Sequence, residues 1–202
     1  MSKELEKIFA LKGFMPKHEG LALMRWCKTY CESAPALEIG SFCGKSAHLL
    51  AFALKESHQK IFTLDHHSGS EEHQTNQEYF DPEIFDKKLN AINTLPILMK
   101  NLATNNFGHK IIPLIGKSQT IAQAWQQTLG LLFIDGGHAY ETVLNDYTSW
   151  NQKIIKGGVL VFHDIYEDPN LGGLAPYKVM QKSIEDGYQI VDREDTIVCL
   201  QK

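Results

Sequence analysis

Five short apolar runs, at 36–39, 61–64, 111–115, 131–134 and 159–162, set the pattern of this chain. Each is nearly continuous in hydrophobicity, as a strand covered on both faces requires; strict alternation would mark a sheet with one wet face. Helical stretches at about 45–56, 83–105, 118–128 and 140–154 separate them. Strand and helix in alternation build a parallel sheet with helices on both sides. The tail breaks this rhythm. A helix over 174–185 leads to an apolar run at 188–191, and Arg193-Glu194-Asp195 turns at once into 196–200. So short a link forces the last two strands to pair antiparallel. The expected fold is α/β, a doubly wound sheet with one reversed strand at its edge. Two helices, over 2–12 and 16–32, form an N-terminal helical cap, with Pro16 in a first turn.

With 202 residues the chain can build one sizeable core, so 1–202 is read as a single domain: a cap of 1–35 and a core of 36–202. A net charge of −4 leaves no basic surplus for a phosphate backbone, which argues against nucleic acid as a partner. No apolar stretch approaches the ~20 residues of a membrane helix, and the charged start lacks a signal-peptide core. A cytoplasmic protein with no membrane partner is expected. Cys27, Cys31, Cys43 and Cys199 are scattered and read as structural thiols, because Cys27 and Cys31 have no second pair to complete a metal site. Trp26, Trp125 and Trp150 read as packing residues.

The first strand ends Glu38-Ile39-Gly40 and turns through Ser41-Phe42-Cys43-Gly44-Lys45-Ser46 into a helix. Backbone N–H groups at that helix start, glycines that admit close approach and a carboxylate beside them outline a nucleotide-shaped pocket. The other strands end at Asp65, at Gly116-Lys117-Ser118, at Asp135 and at His163-Asp164. Four of the five ends carry an acid. A phosphate loop fits poorly, since Gly40 to Lys45-Ser46 is one residue short and Glu38 would face the phosphates; it remains as a nucleotide phosphotransferase reading. A dinucleotide fingerprint needs a third glycine. S-adenosylmethionine suits the acidic ends: Asp65 can accept both ribose hydroxyls, and Glu38 can offset the positive charges. A turn that binds nothing, and Asp65 as a capping residue, are the plainer alternatives.

The glycine turn, the strand ending at Asp65, Leu131 to His138 through Asp135-Gly136-Gly137, and Lys156-Gly157-Gly158 through His163-Asp164 together resemble class I S-adenosylmethionine-dependent methyltransferases. The nearest branch is the small-molecule, macrocin-type O-methyltransferases. The likeness covers residues 36 to about 202. It implies a Rossmann-like seven-stranded sheet with an antiparallel C-terminal strand. It also implies a small-molecule acceptor, and S-adenosylmethionine held by Glu38, Gly40, Ser41, Phe42, Gly44, Ser46, Asp65, His66, Gly116, Ser118 and Asp135. Residues 1–35 and 66–82 would cap the substrate.

If the fourth and fifth strands are neighbours, their ends lie about 5 Å apart, and Asp135, His163 and Asp164 could hold one divalent cation. His163 stands where the relatives carry an acid, so magnesium, manganese or zinc are all candidates, as is a site without metal. His138, three residues beyond Asp135, is placed to take the acceptor's proton, with Asp135 beside it. A non-catalytic cofactor-binding protein is the alternative. In 66–82 the run His66-His67-Ser68-Gly69-Ser70-Glu71-Glu72-His73 could bind metal or a polar substrate, and Tyr79, Phe80 and Phe85 could line the acceptor site. The amphipathic N-terminal helix could pair two copies into a homodimer.

Overall fold

A computed structural model describes residues 1–70, 74, 77 and 80–202. In chain order the elements are α1 (Lys3–Phe9), α2 (Lys17–Tyr30), β1 (Ala36–Ile39), α3 (Lys45–Ala53), β2 (Ile61–Asp65), β3 (Phe85–Asp86), β4 (Ala91–Ile92) and α4 (Leu95–Thr104). There follow β5 (Ile111–Ile115), α5 (Ser118–Ala124), β6 (Leu129–Ile134), α6 (Tyr140–Trp150), β7 (Ile154–Phe162), α7 (Ala175–Glu185), β8 (Gln189–Glu194) and β9 (Ile197–Gln201). Seven strands form one sheet in the order β5-β2-β1-β6-β7-β9-β8. The first five are parallel, and β9 is antiparallel to both its neighbours.

The apolar runs are continuous because the sheet is covered twice. Ala36, Leu131, Phe133, Val159 and Val161 face a core shared with α1, α2 and α3, while Leu37, Leu132, Ile134, Leu160 and Phe162 face α5, α6 and α7. Successive side chains thus serve opposite cores, with the two-residue period of a strand. Trp150 is fully buried, Trp26 nearly so, and Trp125 packs edge-on against Phe62 and Trp150. All four cysteines are buried free thiols. Among the described residues no helix is long and apolar enough to cross a membrane.

Two expectations are corrected. The reversed strand is not at the edge: β9 is inserted between β7 and β8. The crossover through α7 sets β8 two places beyond β7, and the return strand fills the gap. Burial explains the choice, since Val198, Cys199 and Leu200 are inaccessible whereas Ile190 and Val191 of β8 are exposed. The single helix expected over 83–105 is a β3–β4 hairpin followed by α4. Asp86 accepts from the N–H groups of Lys88 (2.8 Å) and Leu89 (3.2 Å), and Asn90 takes a left-handed φ of 50°, which together close a turn. The helix starts only after Thr94, with Pro96 in its first turn.

Candidate active site

The carboxyl ends of the five parallel strands are stitched into one row by backbone hydrogen bonds. Gly116 N–H donates to Asp65, Gly40 N–H to Leu64, Asp135 N–H to Ile39 and His163 N–H to Ile134. Gly40 has φ +104°, and a Cβ there would lie 1.9 Å from the Asp135 carbonyl oxygen, so only glycine lets the β1 turn pass the β6 end. Gly44, φ +88°, caps α3.

Asp65 anchors the turn. Its Oδ2 accepts from Phe42 N–H (2.9 Å) and its Oδ1 from His67 N–H (2.7 Å), holding both residues in left-handed conformations. Asp65 therefore holds two turns whatever else it does, and a carboxylate's remaining lone pairs can still accept from a diol. Beneath the turn lies a wholly buried polar group. Thr63 Oγ1 is within hydrogen-bond reach of Glu38 Oε2 (2.5 Å) and Ser41 Oγ (2.6 Å). Its one proton serves one of them. Glu38 Oε1 has no well-formed hydrogen bond among the described residues. Burial pushes Glu38 up to about 8, against the pull of the Ser46 and Thr63 hydroxyls, with Asp135 and Asp65 adding to the rise. The side chains of Glu38 and Ser41 thus underlie the turn.

At the third strand end, Ser118 Oγ accepts from Trp150 Nε1–H (2.9 Å). Asp146 of α6, buried nearby, is pushed up to about 6 by desolvation, with the Ser118 hydroxyl opposing. Nothing in the sequence marked Asp146, because acids on an α6-like face are ordinarily solvated. The two loop histidines part ways. His66 is exposed and its Nδ1 accepts from Ser68 N–H, whereas His67 is buried with Nδ1 2.7 Å from Thr94 Oγ1. Burial lowers the His67 pKa, and its Nε2 has no hydrogen-bond partner among the described residues. Phe80 and Phe85 join Phe42, Cys43, Ile84 and Ile92 in a small apolar cluster beside the turn. Tyr79, Glu71, Glu72 and His73 lie outside the described residues.

Where β6 and β7 end, four predicted side chains meet. His163 Nδ1 lies 2.9 Å from Asp135 Oδ1 and 3.3 Å from Asp164 Oδ2, and His138 Nε2 lies 2.9 Å from Asp164 Oδ2. Asp164 reaches this position through a left-handed φ of 56°. A fifth group comes from the cap: Glu19 of α2 places Oε2 2.7 Å from His163 Nε2. Burial would strip the charge from His163, but Asp135, Asp164 and Glu19 outweigh it and hold its pKa well above the ordinary imidazole value. Burial raises Asp135, partly offset by His163. For Asp164, bonds from His138 and His163 overcome burial and hold the carboxyl well below its usual range. Glu19, on a mixed helix 144 residues from its partner, carried no sequence signal.

The ligating atoms of Asp135, His163 and Asp164 lie within 4.8 Å of one another. Two carboxylates and an imidazole whose far nitrogen is held by a carboxylate are a donor set that fits manganese, iron or zinc, and magnesium less well. His18, Glu19 and Asp195 also approach, but His18 and Asp195 are exposed and Glu19 is already committed. Among the described residues expected to hold cofactor or metal or to act in the transfer, only His66 is exposed.

A family model described as a methyltransferase domain matches residues 37–165. Among solved structures, the O-methyltransferase NovP superposes with a TM-score of 0.70 at 14% identity, covering 92% of this chain and 79% of that one. TomG from Streptomyces achromogenes, an O-methyltransferase of tomaymycin synthesis solved with SAM, gives 0.66 at 14% identity over 100% of this chain and 91% of its own. An O-methyltransferase from Bacillus cereus solved with SAH gives 0.66 at 15% identity, covering 100% and 92%. At these identities the likeness is one of fold. An uncharacterized protein of Acanthamoeba polyphaga mimivirus is 45% identical over 40 residues, 20% of this chain and 18% of that relative's length.

Proposed function

Because the chain belongs to the methyltransferase-domain family, we propose that it transfers a methyl group from S-adenosylmethionine to a hydroxyl of a small molecule. The class I fold and the family match agree with the resemblance read from the sequence. One observation carries the finer reading: the His138–Asp164 pair, at 2.9 Å, sits on the same sheet edge as the Gly40 turn, which packs against Asp135. A base oriented by a carboxylate is thereby set beside a turn that admits a ligand to the main chain.

The cofactor would lie along the β1 and β2 ends. Asp65 supplies negative charge there, which suits a sulfonium and an ammonium and opposes phosphates, and a bound cation would draw Glu38, held neutral by burial, toward its charged form. In the transfer, a lone pair of the acceptor oxygen attacks the methyl carbon and the carbon–sulfur bond breaks. Its electrons neutralise the sulfonium, and the hydroxyl proton passes to His138. Asp164 orients that imidazole and stabilises the charge it gains. A divalent cation, held by Asp135, His163 and Asp164, would when bound ease loss of the hydroxyl proton.

Calorimetric titration with S-adenosylhomocysteine, with ATP as the control, tests the cofactor. Labelled S-adenosylmethionine offered to a panel of phenols, sugars and hydroxy acids tests the transfer. His138→Ala is expected to keep cofactor affinity and to lose about 10²–10⁴-fold in transfer rate. Binding of ATP alone would sink the proposal. Cofactor binding with an indifferent His138→Ala would favour a non-catalytic binding protein.

A further inference from the structure

Glu19 is buried to 1% exposure on the face of α2 that packs into the core with Gly20, Leu23, Trp26 and Cys27. A carboxylate in such a place costs several kcal/mol unless its oxygens are bonded, and docking a helix would be served better by an apolar side chain. Both oxygens are fully used. Oε1 accepts from Thr196 N–H (2.8 Å) and Thr196 Oγ1–H (2.6 Å), at the start of β9. Oε2 faces His163 Nε2 at 2.7 Å. The first pair of bonds belongs to the fold. The second reaches across to the sheet edge where Asp135, Asp164 and His138 meet.

We propose that Glu19 is a positioning residue of the methyl-transfer site, fixing the His163 ring so that Nδ1 meets Asp135 and Asp164. An imidazole is planar and can turn over about its Cβ–Cγ bond, which puts Cδ2 where Nδ1 stood and Cε1 where Nε2 stood. His163 is 6% exposed, so a ring N–H that lost its acceptor would have no water to turn to. Removing the Glu19 carboxylate therefore favours a reoriented ring that withdraws the donor shared by Asp135 and Asp164. Asp164 holds His138, so the disturbance reaches the proposed base. On this account α2 of the N-terminal cap supplies part of the reactive edge itself. The inference rests on the methyltransferase reading only for what the positioned groups do, and the ring geometry is measurable without a known acceptor.

The test uses the full chain labelled with ¹⁵N-histidine. Long-range ¹H–¹⁵N spectra of the wild type are expected to show a downfield, slowly exchanging N–H at His163 Nε2, assigned by its loss in His163→Gln. In Glu19→Gln that signal is expected to disappear, while S-adenosylhomocysteine affinity stays within about threefold. Thr196→Val removes one structural bond to Glu19 and is expected to lower Tm with the His163 signal intact. That control separates positioning from mere support of β9. Should Glu19→Gln not fold, Glu19→Asp, which keeps the charge but draws it back by one methylene, must show the same loss. An unchanged His163 signal in the folded variant overturns the inference. A wild type that ignores S-adenosylhomocysteine overturns instead the reading beneath it, and the histidine spectra still decide what Glu19 does.

Discussion

Glu38 is the residue at which burial and function pull hardest against each other. Its ordinary value is 4.5 and burial pushes it up to about 8, so the folded protein favours the neutral acid. A raised acid contributes most below pH 4.5, and that contribution is lost as the pH climbs toward 8. Glu38→Gln lacks the penalty. Urea unfolding of the cofactor-free protein at pH 5, 7 and 9 is expected to show the variant gaining on the wild type by up to about 1.4 kcal/mol per pH unit between those limits, and a constant gap above. A gap that does not change with pH would contradict the burial argument. Asp65 and Asp135 were legible in the sequence because each closes a short apolar run, and Glu38 because it interrupts one just before a glycine turn. His163 and Asp164 were legible for the same reason as Asp65 and Asp135. Glu19 and Asp146 were not. Each is an acid on a helix whose local pattern fits a solvated face, and only the packing of that helix reveals the burial.

Short elements around the turn depend on long-range contacts, and there the local pattern misled. The stretch 83–105 has helical composition, yet Asp86, Asn90 and Pro96 punctuate it into a hairpin and a helix. Those turn signals outweigh periodicity over so few residues. The segment after α1 behaves similarly. Lys12 pairs with Asp81 and Glu83, Lys45 Nζ donates to the Gly13 carbonyl (2.7 Å), and the Phe14 and Phe42 rings lie 5.5 Å apart. These contacts strap residues 10–15 over the glycine turn. Because the Lys12 pairs are partly exposed, Lys12→Met is expected to cost only about 0–1 kcal/mol globally. Tm should fall by less than about 4 °C. Amide exchange in 10–15 should nevertheless rise well above wild type, since local opening needs only those contacts to part. Protection unchanged in that segment would show that the strap is held by something other than its ion pairs.

For the molecule as a whole, the row of strand ends couples cofactor occupancy to global stability, since the five strands that form the edge also form both cores. S-adenosylhomocysteine at about a hundred times its Kd is expected to stabilise the fold by about 2.7 kcal/mol. For a chain of this size that is a rise in Tm of about 5–11 °C, measurable by calorimetry, with ATP giving none. The order of apolar runs, the antiparallel tail and the acids at four of the five strand ends followed from sequence alone, because two-residue burial and short links are local constraints. The place of β9 inside the sheet did not, since which strand lies at the edge depends on how much apolar surface each buries against the rest. The Glu19–His163 contact depended on folding for the same kind of reason. Hydrogen bonds between residues 144 positions apart exist only once α2 has docked on the sheet, and no local pattern specifies that meeting.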